Sequence, residues 1–317
     1  MTETLIHAYT PLVLWTLLGL ILVRLLPDFI PRLLGRSLYW VGVPMEILGL
    51  ARRTNFSKGT ALALLVTVAV LLAGLSLTWL SLQGLKRWFK GDSSWLQLQE
   101  RSSQGSFVLS AMLGNTGFIG LAIAPLLVSD QALSLVVFYS ISQNLVGTYG
   151  IGVFLASYYG RQSSQANHWW LQVRDVLFVP SLWAFSIGFL TRNLEFPSLL
   201  EKGLQSSVWF VIPTAFLLMG IRLGQIKGWK SFQLALIPAL LKVIVVPGLV
   251  GIGTTLAGFS NASRLALVLM SGMPTAFASL ILAEEYDLDR ELFASSIIIT
   301  SVLLLLMIPC WLVLFGE

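Results

Sequence analysis

Long apolar runs, most close to 20 residues, alternate with short polar or charged stretches along the whole chain. Ten such runs stand out, at residues 5–26, 31–51, 60–82, 106–128, 132–158, 174–191, 204–221, 232–257, 264–283 and 292–315. About 20 apolar residues in a helix cross the ~30 Å hydrocarbon core of a bilayer. Inside that core every backbone polar group must be paired within the protein. The pattern therefore predicts an all-α membrane protein with ten transmembrane helices. The second run is the weakest: it is free of basic residues only between Arg36 and Arg52, and it contains Glu46. Arg36 and Arg52 would snorkel to lengthen it. The opening residues carry no basic stretch ahead of the first run, so that run reads as a span rather than a cleaved signal peptide.

A shift of 169 residues superimposes several punctuating residues without a gap. Pro11 falls on Pro180, Gly19 on Gly188, Trp40 on Trp209, Pro44 on Pro213, Arg53 on Arg222, and Lys58-Gly59 on Lys227-Gly228. Matches of Trp, Pro and Arg at one offset point to a duplication; chance likeness between membrane helices of similar composition is the alternative. The unit holds five spans, an odd number, so its second copy would be inverted. The domains expected are a first five-helix repeat at 1–158, a cytoplasmic linker at 159–173 and a second, inverted repeat at 174–317.

Composition agrees. Of the 317 residues 56% are hydrophobic and 11% charged, with a mean hydropathy of +0.81, against about a quarter charged in ordinary soluble domains. The net charge of +5 belongs to no basic patch interleaved with aromatics, so nucleic acid is not an expected partner. Lys and Arg are instead divided unequally between the two sets of connections. Thirteen lie on one side, among them Arg24, Lys86, Arg87, Arg161 and Arg290. Six lie on the other: Arg52, Arg53, Lys58, Arg192, Lys202 and Arg264. The positive-inside rule then puts the 83–105 and 159–173 connections in the cytoplasm and both termini on the non-cytoplasmic side of a multi-pass protein of the cell membrane. The one cysteine, Cys310, allows no intrachain disulfide.

The fourth span of each copy is interrupted, at Gly114-Asn-Thr-Gly-Phe-Ile-Gly120 in the first and at Ser271-Gly-Met-Pro-Thr-Ala276 in the second. Gly and Pro weaken helix interiors. Paired breaks at corresponding places are the usual mark of a binding site near the membrane midplane, where opened helix ends face a substrate. Asn115, Thr116, Gly117, Gly120, Met273, Pro274 and Thr275 are accordingly the candidate residues for a crossing of helices four and nine. Close helix packing through small residues is the plainer reading.

Three further polar features lie inside spans. Lys242, within Pro238-Ala-Leu-Leu-Lys-Val-Ile-Val-Val-Pro247, costs about 3 kcal/mol to insert and so calls for a partner or a task. Static neutralisation of helix-end carbonyls, contact with a substrate and snorkelling all remain open for it. Glu46 is a candidate for proton coupling; an interfacial carboxylate near Arg52 and Arg53 is the simpler view. Gln143 and Asn144 would line the site, or only bond between helices.

Asn115-Thr-Gly-Phe-Ile-Gly-Leu121 resembles the fourth-span motif of the auxin efflux carrier family, part of the bile acid/auxin transporter superfamily. Met273-Pro-Thr-Ala-Phe-Ala-Ser-Leu-Ile-Leu-Ala-Glu-Glu-Tyr-Asp-Leu-Asp289 is similar to that family's ninth-span signature. Pro44, Pro213 and Pro309 stand where the family usually has prolines. The likeness runs over nearly the whole chain, with Ala122 where the family often has proline. It implies ten spans, a crossover of spans four and nine, a scaffold formed by spans one, two, six and seven, and transport of organic anions.

The expected function is therefore a secondary transporter that moves a small organic anion, such as a carboxylate, by alternating access. Its partners would be that substrate and the lipid bilayer, with proton coupling and a homodimer left open. No cofactor or metal is expected. The alternatives are a sodium-coupled symporter of the bile-acid type, which would need a dense oxygen cage, a channel, or an intramembrane enzyme. For the last, His7 and His168 are far apart, and neither H-E-x-x-H nor G-x-S-x-G occurs.

Overall fold

The computed structural model describes residues 2–27, 29–53, 59–88, 98–160, 169–225 and 230–316. Most of the 159–173 connection, the middle of the 83–105 connection and the Lys227-Gly228 part of the repeat match lie outside them. The described residues are helical, joined by turns. In chain order the α-helices are α1 (Thr2–Leu22), α2 (Phe29–Ser37), α3 (Val43–Arg53), α4 (Gly59–Trp88), α5 (Arg101–Met112), α6 (Leu121–Leu127), α7 (Asp130–Ser142) and α8 (Val153–Gly160). They continue as α9 (Trp169–Leu177), α10 (Pro180–Leu190), α11 (Ser198–Gly224), α12 (Lys230–Leu240), α13 (Val246–Leu256), α14 (Asn261–Ser271), α15 (Ala278–Glu285) and α16 (Arg290–Phe315). Four π-helical segments, Leu38–Gly42, Thr116–Gly120, Gln143–Gly152 and Leu241–Val245, adjoin them.

Among the described residues, four stretches are long and apolar enough to cross a membrane: Leu62–Trp88, Ser198–Gly224, Ser231–Leu256 and Arg290–Phe315. Other expected spans are divided. The run at 174–191 breaks between α9 and α10 because Pro180 opens a helix and holds the preceding Val179 extended, with ψ 119°. The freed carbonyl of Leu177 accepts a bond from Trp183 Nε1 at 2.7 Å.

The chain forms two compact units, one of residues 1–57 and 177–226, the other of 58–176 and 227–317. The first collects the stretches read as spans one, two, six and seven. In it α1 and α11 run parallel with their backbones in contact. A Cβ added at Gly19 would stand 2.2 Å from the Leu217 carbonyl oxygen, so only glycine permits this approach. α3 and α11 run antiparallel: Gly42 meets Val211, Gly49 meets Leu204, and Arg52 pairs with Glu201 at 3.2 Å. Arg52 also donates to the Thr191 carbonyl, reaches the Leu194 carbonyl at 2.8 Å, and lies 3.5 Å from the Phe196 ring centre. One guanidinium thus ties down the turn between α10 and α11. Its five donors suit that task where lysine's single amine would not.

The second unit is held at one end by Asp289, which caps α16. Its Oδ1 accepts from Leu292 N at 3.0 Å and its Oδ2 from Ser103 Oγ at 2.7 Å. Ser106 Oγ donates to the Asp289 carbonyl. These bonds fix the start of α5 to the start of α16, beside an apolar cluster that includes Leu82, Phe107, Leu234 and Leu292.

Candidate functional site

Within the second unit, α5 ends at Met112 and α14 at Ser271. The segments that follow pass each other as an antiparallel bridge between Gly114 and Thr275. Asn115 N donates to the Pro274 carbonyl at 2.7 Å, and Ala276 N donates to the Leu113 carbonyl at 2.9 Å. Leu113, Asn115, Thr116, Met273 and Thr275 are all buried. A helix broken in an apolar interior leaves amides and carbonyls whose desolvation is costly. Here the two breaks satisfy one another, which neither could do alone.

Side chains complete the pairing. Asn115 Oδ1 accepts from Phe118 N at 3.3 Å and Ile119 N at 3.5 Å, capping the π segment Thr116–Gly120 that leads into α6. Gln143 Nε2 donates to the Met112 carbonyl at 3.2 Å. On the other strand, Thr275 N donates to Thr300 Oγ1 at 3.0 Å, and Thr275 Oγ1 donates to the Ser110 carbonyl at 2.8 Å. Ser110 and Thr300 carry no signal of this role in the sequence. Each is one small hydroxyl residue among many in apolar helices.

The glycines of the first break make room for particular groups. A Cβ at Gly114 would stand 3.0 Å from Lys242 Nζ. One at Gly117 would stand 3.1 Å from Asn144 Nδ2, and one at Gly120 would meet Met270 and Met273 at 3.1–3.4 Å. Close packing and a polar site are therefore the same feature at Gly114 and Gly117. Asn144 Nδ2 is in turn held by the Ser140 carbonyl at 2.9 Å.

Lys242 occupies the π segment between α12 and α13. Pro247 has no N–H to offer the carbonyl of Val243, and the ladder ahead of it is widened: Val246 N donates to Leu241 O. The lysine is 1% exposed, and its amine makes no hydrogen bond or ion pair among the described residues. It lies against Gly114 without donating to the carbonyls around it. Its place beside the end of α5 suits neutralisation of the helix-end carbonyls through space. Several buried oxygens of the same unit also lack partners among the described residues, including Ser110 Oγ, Thr116 Oγ1 and Gln143 Oε1. Unpaired buried groups of this kind are rare and call for an explanation.

The crossing thus gathers Asn115, Thr116, Gly117, Gly120, Met273, Pro274, Thr275, Lys242, Gln143 and Asn144 in one unit. Glu46 belongs to the other. It is 4% exposed and its Oε1 has no hydrogen-bond partner. The α3–α11 register that pairs Gly49 with Leu204 and Arg52 with Glu201 sets Ser207 across from it. Arg52 pairs with Glu201 and the turn after α10, not with Glu46. Among the described residues no group of three His, Cys, Asp or Glu side chains could hold a metal ion.

No family model matches the chain. It is 26% identical over 284 residues to an uncharacterised transporter of Methanothermobacter thermautotrophicus, covering 88% of this chain and 87% of that protein. It is also 26% identical over 215 residues to an uncharacterised transporter of Methanocaldococcus jannaschii, covering 65% of this chain and 67% of the other.

Proposed function

We propose that this protein is a secondary transporter of the auxin efflux carrier type, carrying a small organic anion across the cell membrane by alternating access. It acts as a carrier and not as an enzyme. The reading places ten spans in two inverted repeats, with both termini on the non-cytoplasmic side. The likeness to two proteins named as transporters supports it, as does the hydrogen-bonded crossing of two broken helices at 113–116 and 272–277. The observation that carries it is the Lys242 amine, buried at that crossing and without an acceptor among the described residues. A buried ammonium needs a counter-charge, and an anion held between Lys242 and the crossing supplies one. Glu46, buried in the other unit, is the candidate for proton coupling.

Uptake of labelled carboxylates into proteoliposomes, with and without a pH gradient, tests the reading. Saturable uptake is expected for at least one carboxylate. Lys242→Ala should raise the apparent KM or abolish ligand-induced stabilisation, because the charge pair with substrate is lost. Unchanged KM with a lowered melting temperature would return Lys242 to a static role. Failure of every carboxylate to be carried would remove the anion assignment.

A further inference from the structure

We infer that the end of the first unit formed by α2, the turn ahead of it and the close of α11 binds an anionic phospholipid. Arginines hold the phosphate headgroup, and the chains lie along the exposed apolar residues between them. The inference asks only that the chain lie in a bilayer and is independent of what it carries.

Charge at this end is one-sided. Residues 20–37 hold Arg24, Arg32 and Arg36 against the single carboxylate Asp28, and residues 221–230 hold Arg222, Lys227 and Lys230 against none. The α3–α11 register, in which Arg52 meets Glu201 and Gly42 meets Val211, continues into α2, where Gly35 meets Leu218. One turn further it sets Arg32 across from Ile221 and beside Arg222. Gly224 lies against Val23, which brings the close of α11 alongside Arg24. Arg222 is half-buried and donates to Gln225 Oε1 at 3.0 Å. Arg24, Arg32 and Arg36 are exposed and make no hydrogen bond or ion pair among the described residues.

Apolar residues share the same face. Leu25, Phe29 and Leu33 are exposed. Phe29, Arg32, Leu33 and Arg36 form the outer stripe of α2, at the i, i+3, i+4 and i+7 spacing, while Pro31 and Gly35 are buried. A guanidinium grips phosphate through two parallel N–H bonds, and the Phe and Leu side chains beside it suit acyl chains. A soluble polyanion such as nucleic acid would leave those apolar groups in water.

The duplication does not require this chemistry. The 169-residue shift takes Arg24, Phe29, Arg32, Leu33 and Arg36 to Asn193, Ser198, Glu201, Lys202 and Gln205. In that second stretch Arg192 and Lys202 balance Glu195 and Glu201, and Glu201 is paired with Arg52. The first copy has Arg32 in the place of Glu201, and the residue matching Arg52 is Ile221. The ion pair of one end thus becomes, at the other, an arginine with no carboxylate across from it on α11.

The test uses purified full-length protein in neutral detergent. Binding of phosphatidylglycerol and phosphatidylcholine is counted by native mass spectrometry, and thermal stabilisation by each lipid is measured beside it. Phosphatidylglycerol should bind and stabilise at a concentration about tenfold lower or better. Replacing Arg32 and Arg36 together, as Arg32→Gln with Arg36→Gln, should weaken it by about tenfold or more, at roughly fivefold for each basic residue. Lys202→Gln, the same change of charge at an exposed site on the balanced end, should leave it unaltered. If the double variant fails to fold, Arg36→Gln alone is read in the same way, with a loss of about fivefold. Equal binding of the two lipids overturns the inference and leaves these arginines a role in orientation alone. An equal loss in Lys202→Gln overturns it in favour of net charge, and stabilisation by glycerol 3-phosphate as strong as by phosphatidylglycerol overturns it in favour of a free phosphate.

Discussion

Gly19 on α1 and Gly220 on α11 lie backbone against backbone: a Cβ on Gly220 would stand 3.0 Å from the Gly19 Cα and 2.0 Å from the Thr16 carbonyl oxygen. The same unit holds a counterpart, where a Cβ on Gly188 of α10 would stand 2.9 Å from the Ala51 Cβ on α3. The 169-residue shift converts one pair into the other, taking Gly19 to Gly188 and Ala51 to Gly220. Two contacts between different helices are thus related by one offset. Gly220→Ala and Gly19→Ala should each lower the melting temperature in detergent by several degrees, as overpacking costs about 1–3 kcal/mol. Gly203→Ala, where nothing lies within 4 Å, should be neutral or stabilising. Equal effects at 203 and 220 would dissolve the argument from contact.

At the crossing, Asn115→Ala removes a cap with a typical worth of about 1 kcal/mol. It should abolish uptake while folded protein persists in the membrane. Asn115→Ser keeps an acceptor oxygen and should recover part of the transport. Wild-type uptake by the alanine variant would reduce Asn115 to a packing residue.

Gly117 and Asn144 offer a test of coupling. Gly117→Ala drives a methyl group toward Asn144 Nδ2 at 3.1 Å and should cut uptake several-fold. Adding Asn144→Ala relieves the crowding, so the double variant should transport better than Gly117→Ala alone. Additive losses in the double-mutant cycle would mean that the two do not meet.

Arg52 should matter for stability and not for substrate affinity. Arg52→Ala strips the Thr191 and Leu194 carbonyls and Glu201 of their donor, a loss of about 1–3 kcal/mol. Arg52→Lys should recover only a fraction of it, because one amine does not reach three acceptors. A change in KM without a change in melting temperature would contradict the assignment.

Topology is open to a direct experiment. In a Cys310→Ala background, a cysteine at Gly91 should resist an impermeant thiol reagent on intact cells. Cys310 must be removed because it is exposed. Ready labelling at Gly91 would reverse the orientation drawn from the Lys and Arg asymmetry.

Much of the candidate site was legible because its chemistry is local. Gly114, Gly117 and Pro274 announce breaks wherever they occur in an apolar run, and Lys242 is conspicuous for its insertion cost. The rest depends on spacing across helices. Ser110 and Thr300 matter only because they face Thr275, and nothing in either residue's neighbourhood in sequence says so. The helix caps could have helped. Ser129 opens α7 and Asp289 opens α16, 160 residues apart, and Thr300 and Ser140 each lie eleven residues further on. The shift is thus 169 over the first two spans and 160 over the last two. A single offset loses the match beyond the longer 83–105 connection. The widened turns at 143–152 and 241–245 left no such trace, since hydrogen-bond slippage of one residue does not alter hydrophobic periodicity enough to be read.

The paired bonds between Asn115 and Pro274 and between Ala276 and Leu113 make a two-rung clasp at the heart of one unit. Parting it would strand two amides and two carbonyls in an apolar medium, so the two broken helices are obliged to travel together. Amide hydrogen exchange should register this as a protected island: the protons of Asn115 and Ala276 should outlast those of the intact helical turns at the membrane edge.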